Sequence, residues 1–349
     1  MGSIDDHGGW AALLTQLLDR NHLTAAQARS AMMTILAGDA TPAQLIGFVV
    51  ALRAKGESVE ELAGLLDAVL AHAAIVPLSE QQRSNSVDIV GTGGDHSHSI
   101  NVSTMAAIVT AAAGVPVCKH GSRASSSRCG TADVLEELGV AIELTPEGVK
   151  HCIETAGMGF CFAPAFHPAF RFAAPARREI GIPTVFNLLG PMANPGRVRR
   201  QVIGVANAGF AERMIETLRT HGSVHAWVVH GGGLDELTTT GSSQVIELRE
   251  GEIDHFTVDP AEFGFGRARN EDLSGGDPAE NAEVVRRVLG GEPGPHRDIV
   301  VLNAGAGLVV GGAADSLAAG VAIAAEAIDS GAGTETLRKL AAASQEAAV

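Results

Sequence analysis

From Val87 onward, short apolar runs alternate with stretches of helical periodicity. VDIVG is followed by TMAAIVTAAAG, VPVCK by GTADVLEELG, and VIGVA by GFAERMIETLRTHG before a further run, AWVVHG. Parallel strands cannot be joined by a tight turn, and the crossover between them is usually a helix. The alternation therefore commits this part of the chain to a mostly parallel sheet with covering helices. The preceding residues carry no strand signal. WAALLTQLLDR has apolar residues at helical spacing, and TAAQARSAMMTILAG runs from a cap candidate, Thr24, to Gly38. TPAQLIGFVVALRAKG has Thr41 as cap, Pro42 at the first helical position and Gly56 as stop, and SVEELAGLLDAVLAHA opens on a capping box of Ser58 and Glu61. The expected architecture is α/β: a small N-terminal helical domain over residues 1–78 and a larger α/β domain over 79–349.

Composition narrows the function. A 46% apolar and 19% charged chain is not disordered, and a net charge of −15 argues against a nucleic-acid or anionic-membrane partner. No apolar run is long and unbroken enough to span a bilayer. The first ten residues, MGSIDDHGGW, place acids where a signal peptide needs a basic and then an apolar run. Cys118, Cys129, Cys152 and Cys161 form no C-x-x-C pair, as expected of a reduced, cytoplasmic protein.

The acids are unevenly placed. None lies between His96 and Ala132, where Lys119, Arg123 and Arg128 fall, and none between Thr155 and Arg178, which holds Arg171, Arg177 and Arg178. Such windows suit local anion sites, or alternatively buried helix and loop. The second window carries Phe160, Phe162, Phe166, Phe170 and Phe172 and reads as core or as the lining of an aromatic-acid pocket.

In VDIVGTGGDHSHSINVSTMAAIV a strand ends at Gly91, and three glycines in four residues let the backbone approach a ligand closely. Asn101, Ser103 and Thr104 then stand where a helix begins, at a positive helix end suited to an anion. An ordinary turn with a Ser/Thr cap is the alternative. Lys119 ends the next strand as Gly91 ends the first, so both face the crevice where α/β sheets bind ligands. Lys119 offers a point charge, Arg123 a fork, and Ser125, Ser126, Ser127 and Thr131 hydroxyls. Two consecutive junctions of this kind suit a ligand with two phosphate groups. In AWVVHGGGLDELTTTG the adjacent Asp235 and Glu236 follow another strand. They suit Mg²⁺, which takes carboxylate and phosphate oxygens while keeping waters, or else they face solvent.

GTGGD, NVST, KHGxR with SSS, GTADVLE, RREIGIPTVFNLLGP and GLDE together resemble the anthranilate phosphoribosyltransferase family, in order and to about Gly331. The resemblance implies a helical domain, completed by helices from about residue 168 to 185, joined to an α/β domain in a homodimer. It implies Mg²⁺-dependent transfer of phosphoribose from 5-phosphoribosyl 1-diphosphate (PRPP) to the amine of anthranilate, releasing pyrophosphate. PRPP would meet Gly91, Gly94, Asp95, Ser99, Asn101, Val102, Ser103 and Thr104 on the first junction. On the second it would meet Lys119, His120, Gly121, Arg123, Ser125, Ser126, Ser127 and Thr131. Ser103, Asp235 and Glu236 would hold Mg²⁺, and Lys119, Asp235 and Glu236 would carry catalysis. The aromatic acid would meet Gly91, Ser122, Phe170 and Arg177, the last pairing its carboxylate, with His120 and His167 as candidates for the amine proton.

Three places depart from the family pattern. Ser122 replaces the Asn of K-H-G-N-R, His96 and His98 stand in a loop where small residues are usual, and Arg128 and Cys129 occupy a normally less bulky stretch. Ser122 leaves a second reading open, the same donor with a different aryl acid. A pyrimidine nucleoside phosphorylase and a non-catalytic relative are further alternatives. Complete NVST and GLDE motifs stand against the first, and retention of Lys119, Asp235 and Glu236 against the second.

Overall fold

Seven strands form one sheet in the computed structural model, which describes residues 3–95, 97–124 and 128–348. They are β1 (Val87–Gly91), β2 (Val117–Gly121), β3 (Met158–Phe162), β4 (Arg200–Gly204), β5 (His225–His230), β6 (Ser243–Arg249) and β7 (Glu252–Val258). Their order is β3-β2-β1-β4-β5-β6-β7, with β1 to β5 parallel and the last two antiparallel. The chain leaves β1 toward β2 and β3, then crosses back to β4 on the other side. That reversal beside β1 creates the crevice at the strand ends where α/β sheets bind ligands. Register aligns those ends, with Gly91 opposite Gly204 and Gly121 opposite Phe162.

The N-terminal helices Gly9–Leu18, Ala25–Ala37, Pro42–Lys55 and Val59–Ala71 match the expected four. Thr24, Thr41 and Ser58 each accept a bond from the backbone N–H three residues on, and the side chains of Gln27, Gln44 and Glu61 each accept one from the cap residue's own N–H. Gly38 ends its helix in the left-handed region, φ 83°. Their apolar faces form a core with Ala173, Ala176, Val185 and Phe186, and with Ile203 and Val228 from one face of the sheet. Val202, Trp227 and Val229, alternating with these along the strands, face the other core. The helical bundle thus rests on one face of the sheet, beside the crevice.

Two features escape the sequence pattern. β3 lies within the aromatic stretch that interrupts the alternation; all five of its residues are buried, so MGFCF shows no period of two. β6 and β7 form a hairpin whose turn residues Glu250 and Gly251 both have positive φ, 52° and 90°. Within the aromatic stretch, Phe160, Phe162 and Phe166 belong to the core and Phe172 is 41% exposed.

Asp88 on β1 is fully buried. It accepts bonds from the His120 amide at 3.1 Å and from Asn194 Nδ2 at 2.7 Å, tying β1 to β2 and to the chain entering β4. Burial pushes its carboxyl up to about 6, against the pull of Lys119. Because this pKa is raised, the stability Asp88 contributes is complete below its unfolded pKa of 3.8 and is lost as pH rises through about 6. The wild type should therefore lose about 3 kcal/mol relative to Asp88→Asn between about pH 4 and pH 7 in urea denaturation. A difference that stays constant with pH would contradict the buried carboxyl.

Candidate functional site

Three strand ends meet at a cavity of about 280 Å³. β1 turns out through Gly93 and Gly94, both with positive φ, into the helix Val102–Ala112. β2 leads from Gly121 through a loop into the helix Thr131–Glu137. The loop after β5 brings Asp235 and Glu236 across the ends of β1 and β4. A Cβ on Gly91 would overlap the Asp235 carboxylate, and one on Gly204 would overlap the Asp235 backbone. Gly204 is a site requirement missed in the sequence; its signal was its place at the end of VIGVA, in register with Gly91.

Charge is concentrated here. Lys119 is 1% exposed; its ammonium donates to the Ile89 carbonyl and lies 3.4 Å from Ser103 Oγ. Burial lowers its pKa, opposed by Asp88, Glu236 and Asp235. Asp235 and Glu236 keep part of their surface open to the cleft but lie deep among protein atoms. Burial and then the repulsion of Asp95 push Asp235 up to about 7; burial and then Asp235 push Glu236 well above the usual carboxylate range. Asp235 accepts from the Gly93 amide at 2.7 Å, and Glu236 from the Ser103 amide.

These groups fit a divalent cation, because two crowded carboxylates beside a hydroxyl lack a matching positive charge on their open side. Among the described residues no three His, Cys, Asp or Glu side chains close on one point. Two carboxylates and a hydroxyl are a partial set of oxygen donors, of the kind Mg²⁺ takes while keeping waters and phosphate oxygens.

Most sequence-predicted residues line the cavity: Gly91, Gly94, Asp95, Ser99, Asn101, Val102 and Ser103 from the first junction. Lys119, His120, Gly121, Ser122, Arg123 and Thr131 line it from the second, with Asp235 and Glu236 opposite. His96, Ser125, Ser126 and Ser127 lie outside the described residues. Three predicted residues do not line it. Thr104 is buried, its hydroxyl donating to Thr131 Oγ1 at 3.3 Å, so it joins the two junctions from beneath. Phe170 and Arg177 belong to an adjoining aromatic cluster. Arg123 reaches the rim, but its guanidinium is held by Asp133 at 2.9 Å and Glu136 at 2.5 Å. His98, at φ 53°, is an exposed loop residue.

The adjoining cluster starts at His120, whose ring centroid is 5.0 Å from that of His167. His167 stacks on Phe170 at 5.2 Å, Phe170 meets Phe186 edge-on, and the Arg177 guanidinium lies 4.8 Å over Phe186. Burial holds His120 well below the usual histidine range and His167 at about 4, so both rings are neutral near pH 7. His120 Nδ1 faces the Gly190 carbonyl at 3.1 Å and must carry the proton; Nε2 is then a buried acceptor with no partner among the described residues. Arg177 is largely desolvated, which lowers its pKa, and has no carboxylate partner among the described residues.

A larger groove of about 380 Å³ opens at the far end of β4. Its Arg199 already pairs with Glu80 at 2.7 Å, and its lining holds none of the residues of the glycine-rich junctions, so the smaller cavity is the candidate site.

Residues 83–334 match the glycosyl transferase family a/b domain, and residues 11–73 the helical bundle domain of the same family. Anthranilate phosphoribosyltransferase of Saccharopolyspora erythraea is 52% identical over 344 residues, 97% of each chain. The crystal structure of anthranilate phosphoribosyltransferase from Thermus thermophilus superposes with a TM-score of 0.90 at 42% identity, covering 95% of this chain and 99% of that one. The Saccharomyces cerevisiae enzyme, solved in complex with PRPP and Mg, gives 0.88 at 28% identity over 97% and 98%. Similarity of this extent spans both domains and every strand end that forms the cavity, and on that basis the chain belongs to the anthranilate phosphoribosyltransferase family.

Proposed function

We propose that this protein transfers the phosphoribosyl group of PRPP to the amine of anthranilate and releases pyrophosphate, with Mg²⁺. The observation that carries this reading is the meeting of Lys119, Asp235 and Glu236 at the head of two consecutive phosphate-facing junctions. In the reaction the bond from ribose C1 to the diphosphate oxygen breaks, a bond from C1 to the amine nitrogen forms, and the amine loses a proton. Mg²⁺, held through Ser103, Asp235 and Glu236, neutralises the diphosphate charge. Lys119, at 1% exposure, adds a positive charge that acts more strongly than it would in bulk water. The backbone amides at the start of the helix Val102–Ala112 orient the phosphates. Holding both reactants in line supplies most of the remaining acceleration.

For the acceptor, Arg177 is the partner of the carboxylate and its stack on Phe186 fixes the guanidinium plane. His120, which lines the cavity, and the neighbouring His167 are the candidates to take the amine proton once the bond has formed. Ser122, exposed at the cavity mouth, faces the acceptor with a shorter polar arm than Asn.

The same reading divides the chain at residues 78 and 79, with helices from about 168 to 185 completing the helical domain. Ala173, Ala176 and Val185 support this by sharing the bundle's core. It makes the protein a homodimer through the helical domains, whose helices expose Leu18 at 74% and Val50 at 38%. A cytoplasmic location is in keeping with four buried cysteines that form no C-x-x-C pair. No helix is long and apolar enough to cross a membrane among the described residues.

The test is pyrophosphate release from PRPP and Mg²⁺ with a panel of aryl amines and aryl acids. Anthranilate should be the best acceptor; an inert anthranilate beside another active acid would overturn the assignment. Ser122→Asn should raise kcat/KM for anthranilate about fivefold, the scale of one hydrogen bond of about 1 kcal/mol, and leave the KM for PRPP unchanged. A weakened donor KM in that variant would contradict the division between donor and acceptor residues.

A further inference from the structure

Asn281 lies in the helix Pro278–Leu289, far along the chain from either phosphate-facing junction, and is 2% exposed. Its Oδ1 accepts from the Gly276 amide at 2.7 Å, which fixes which end of the side-chain amide is oxygen. Its Nδ2 donates to Asn101 Oδ1 at 2.9 Å and also faces the Cys129 thiol. Asn101 Nδ2 in turn donates to the Cys129 carbonyl at 3.3 Å. The result is a closed ring of polar contacts. Asn101 stands at the end of the loop after β1, Cys129 at the end of the loop after β2, and Asn281 spans both.

The surrounding backbone extends this support. Ser99 and Ser274 form an antiparallel bridge, Ile100 N donates to Leu273 O at 3.0 Å, and Gly275 N donates to His98 O at 2.8 Å. His98 has φ 53°, a conformation that is unfavourable for a residue with a Cβ and needs outside contacts to persist. A Cβ on Gly275 would come 2.8 Å from Asn281 Oδ1 and 3.0 Å from the Ser99 carbonyl, so the segments are in close contact. Residues 273–276 act as a template for residues 98–101, and Asn281 anchors that template through Gly276.

We propose that Asn281 is a positioning residue for the phosphoribosyl donor, setting the spacing between the loops after β1 and β2 through Asn101 and Cys129. The inference rests on the donor site of the proposed function. Much of Asn101's amide is committed to this ring, so its contribution to donor binding is to hold Val102 and Ser103 at the start of their helix. The acceptor side, around Arg177 and Phe186, has no part in the ring.

The test compares wild type with Asn281→Asp and Asn281→Ala. The Asp variant keeps the acceptor for Gly276 N–H and replaces the donor to Asn101 by a repelling oxygen. KM for PRPP should rise roughly fivefold to tenfold in Asn281→Asp, the scale of one buried hydrogen bond, with kcat and the KM for anthranilate within about twofold. Its thermal midpoint should move little, whereas Asn281→Ala, which also frees Gly276, should melt lower. A donor KM at the wild-type value in Asn281→Asp overturns the inference, including when the melting point falls, since that is the mark of a purely structural role. Wild-type turnover is measured first. If no pyrophosphate is released, the proposed reaction fails, and PRPP with Mg²⁺ is titrated directly into wild type and the Asp variant. Weaker binding by the variant then supports the inference; equal affinities, or no binding by either protein, overturn it.

Discussion

The buried ammonium of Lys119 is the interaction on which the rest of the site depends. A cation at 1% exposure is costly unless the protein surrounds it with opposite charge and acceptors. Here those partners come from four places: Asp88 below it on β1, the Ile89 carbonyl, the Ser103 hydroxyl, and the Asp235–Glu236 loop after β5. Each is brought within reach by a strand of the parallel sheet, so fold and charge cluster are parts of one arrangement. The two carboxylates outnumber what Lys119 neutralises on their side, since both are raised by burial and by neighbouring acids. The surplus on that side is negative, and on the proposed reading Mg²⁺ would balance it together with the charge of the diphosphate.

The acceptor side is built on a different principle. From His120 to Arg177 the contacts are ring on ring; among the described residues the nitrogen at one end has no hydrogen-bond partner and the guanidinium at the other no carboxylate partner. On the proposed reading such a wall would meet a flat, singly charged molecule, and the glycine-rich junctions a multiply charged flexible one. His120 belongs to both, since its backbone amide is fixed by Asp88 and its ring begins the aromatic wall. On the proposed reading it would hold donor and acceptor in register.

Much of this was legible in the sequence, for local reasons. The caps at Thr24, Thr41 and Ser58 act within one helical turn, and the β-α alternation sets β1, β2, β4 and β5. The glycines, Lys119 and GLDE were marked by residue type at strand ends. What escaped depends on long-range packing. MGFCF is buried on both faces and shows no strand period, and the β6–β7 hairpin turns on an uncommon pair, Glu250 and Gly251. Gly204 matters only because Asp235 crosses it, and Asn281 only because it meets Asn101 across 180 residues. Arg123, read as a phosphate fork, is tied by Asp133 and Glu136 from the following helix, a pairing that sequence spacing alone did not reveal.

The central claim is that Lys119, Asp235 and Glu236 form a charge cluster completed jointly by Mg²⁺ and a diphosphate. Its most direct measurement is calorimetric titration of PRPP into the protein with Mg²⁺ present and with Mg²⁺ chelated. Without the cation, the diphosphate faces Asp235 and Glu236 directly, and affinity should fall by about 100-fold or more, roughly 2.7 kcal/mol. Equal affinity with and without Mg²⁺ would contradict the account.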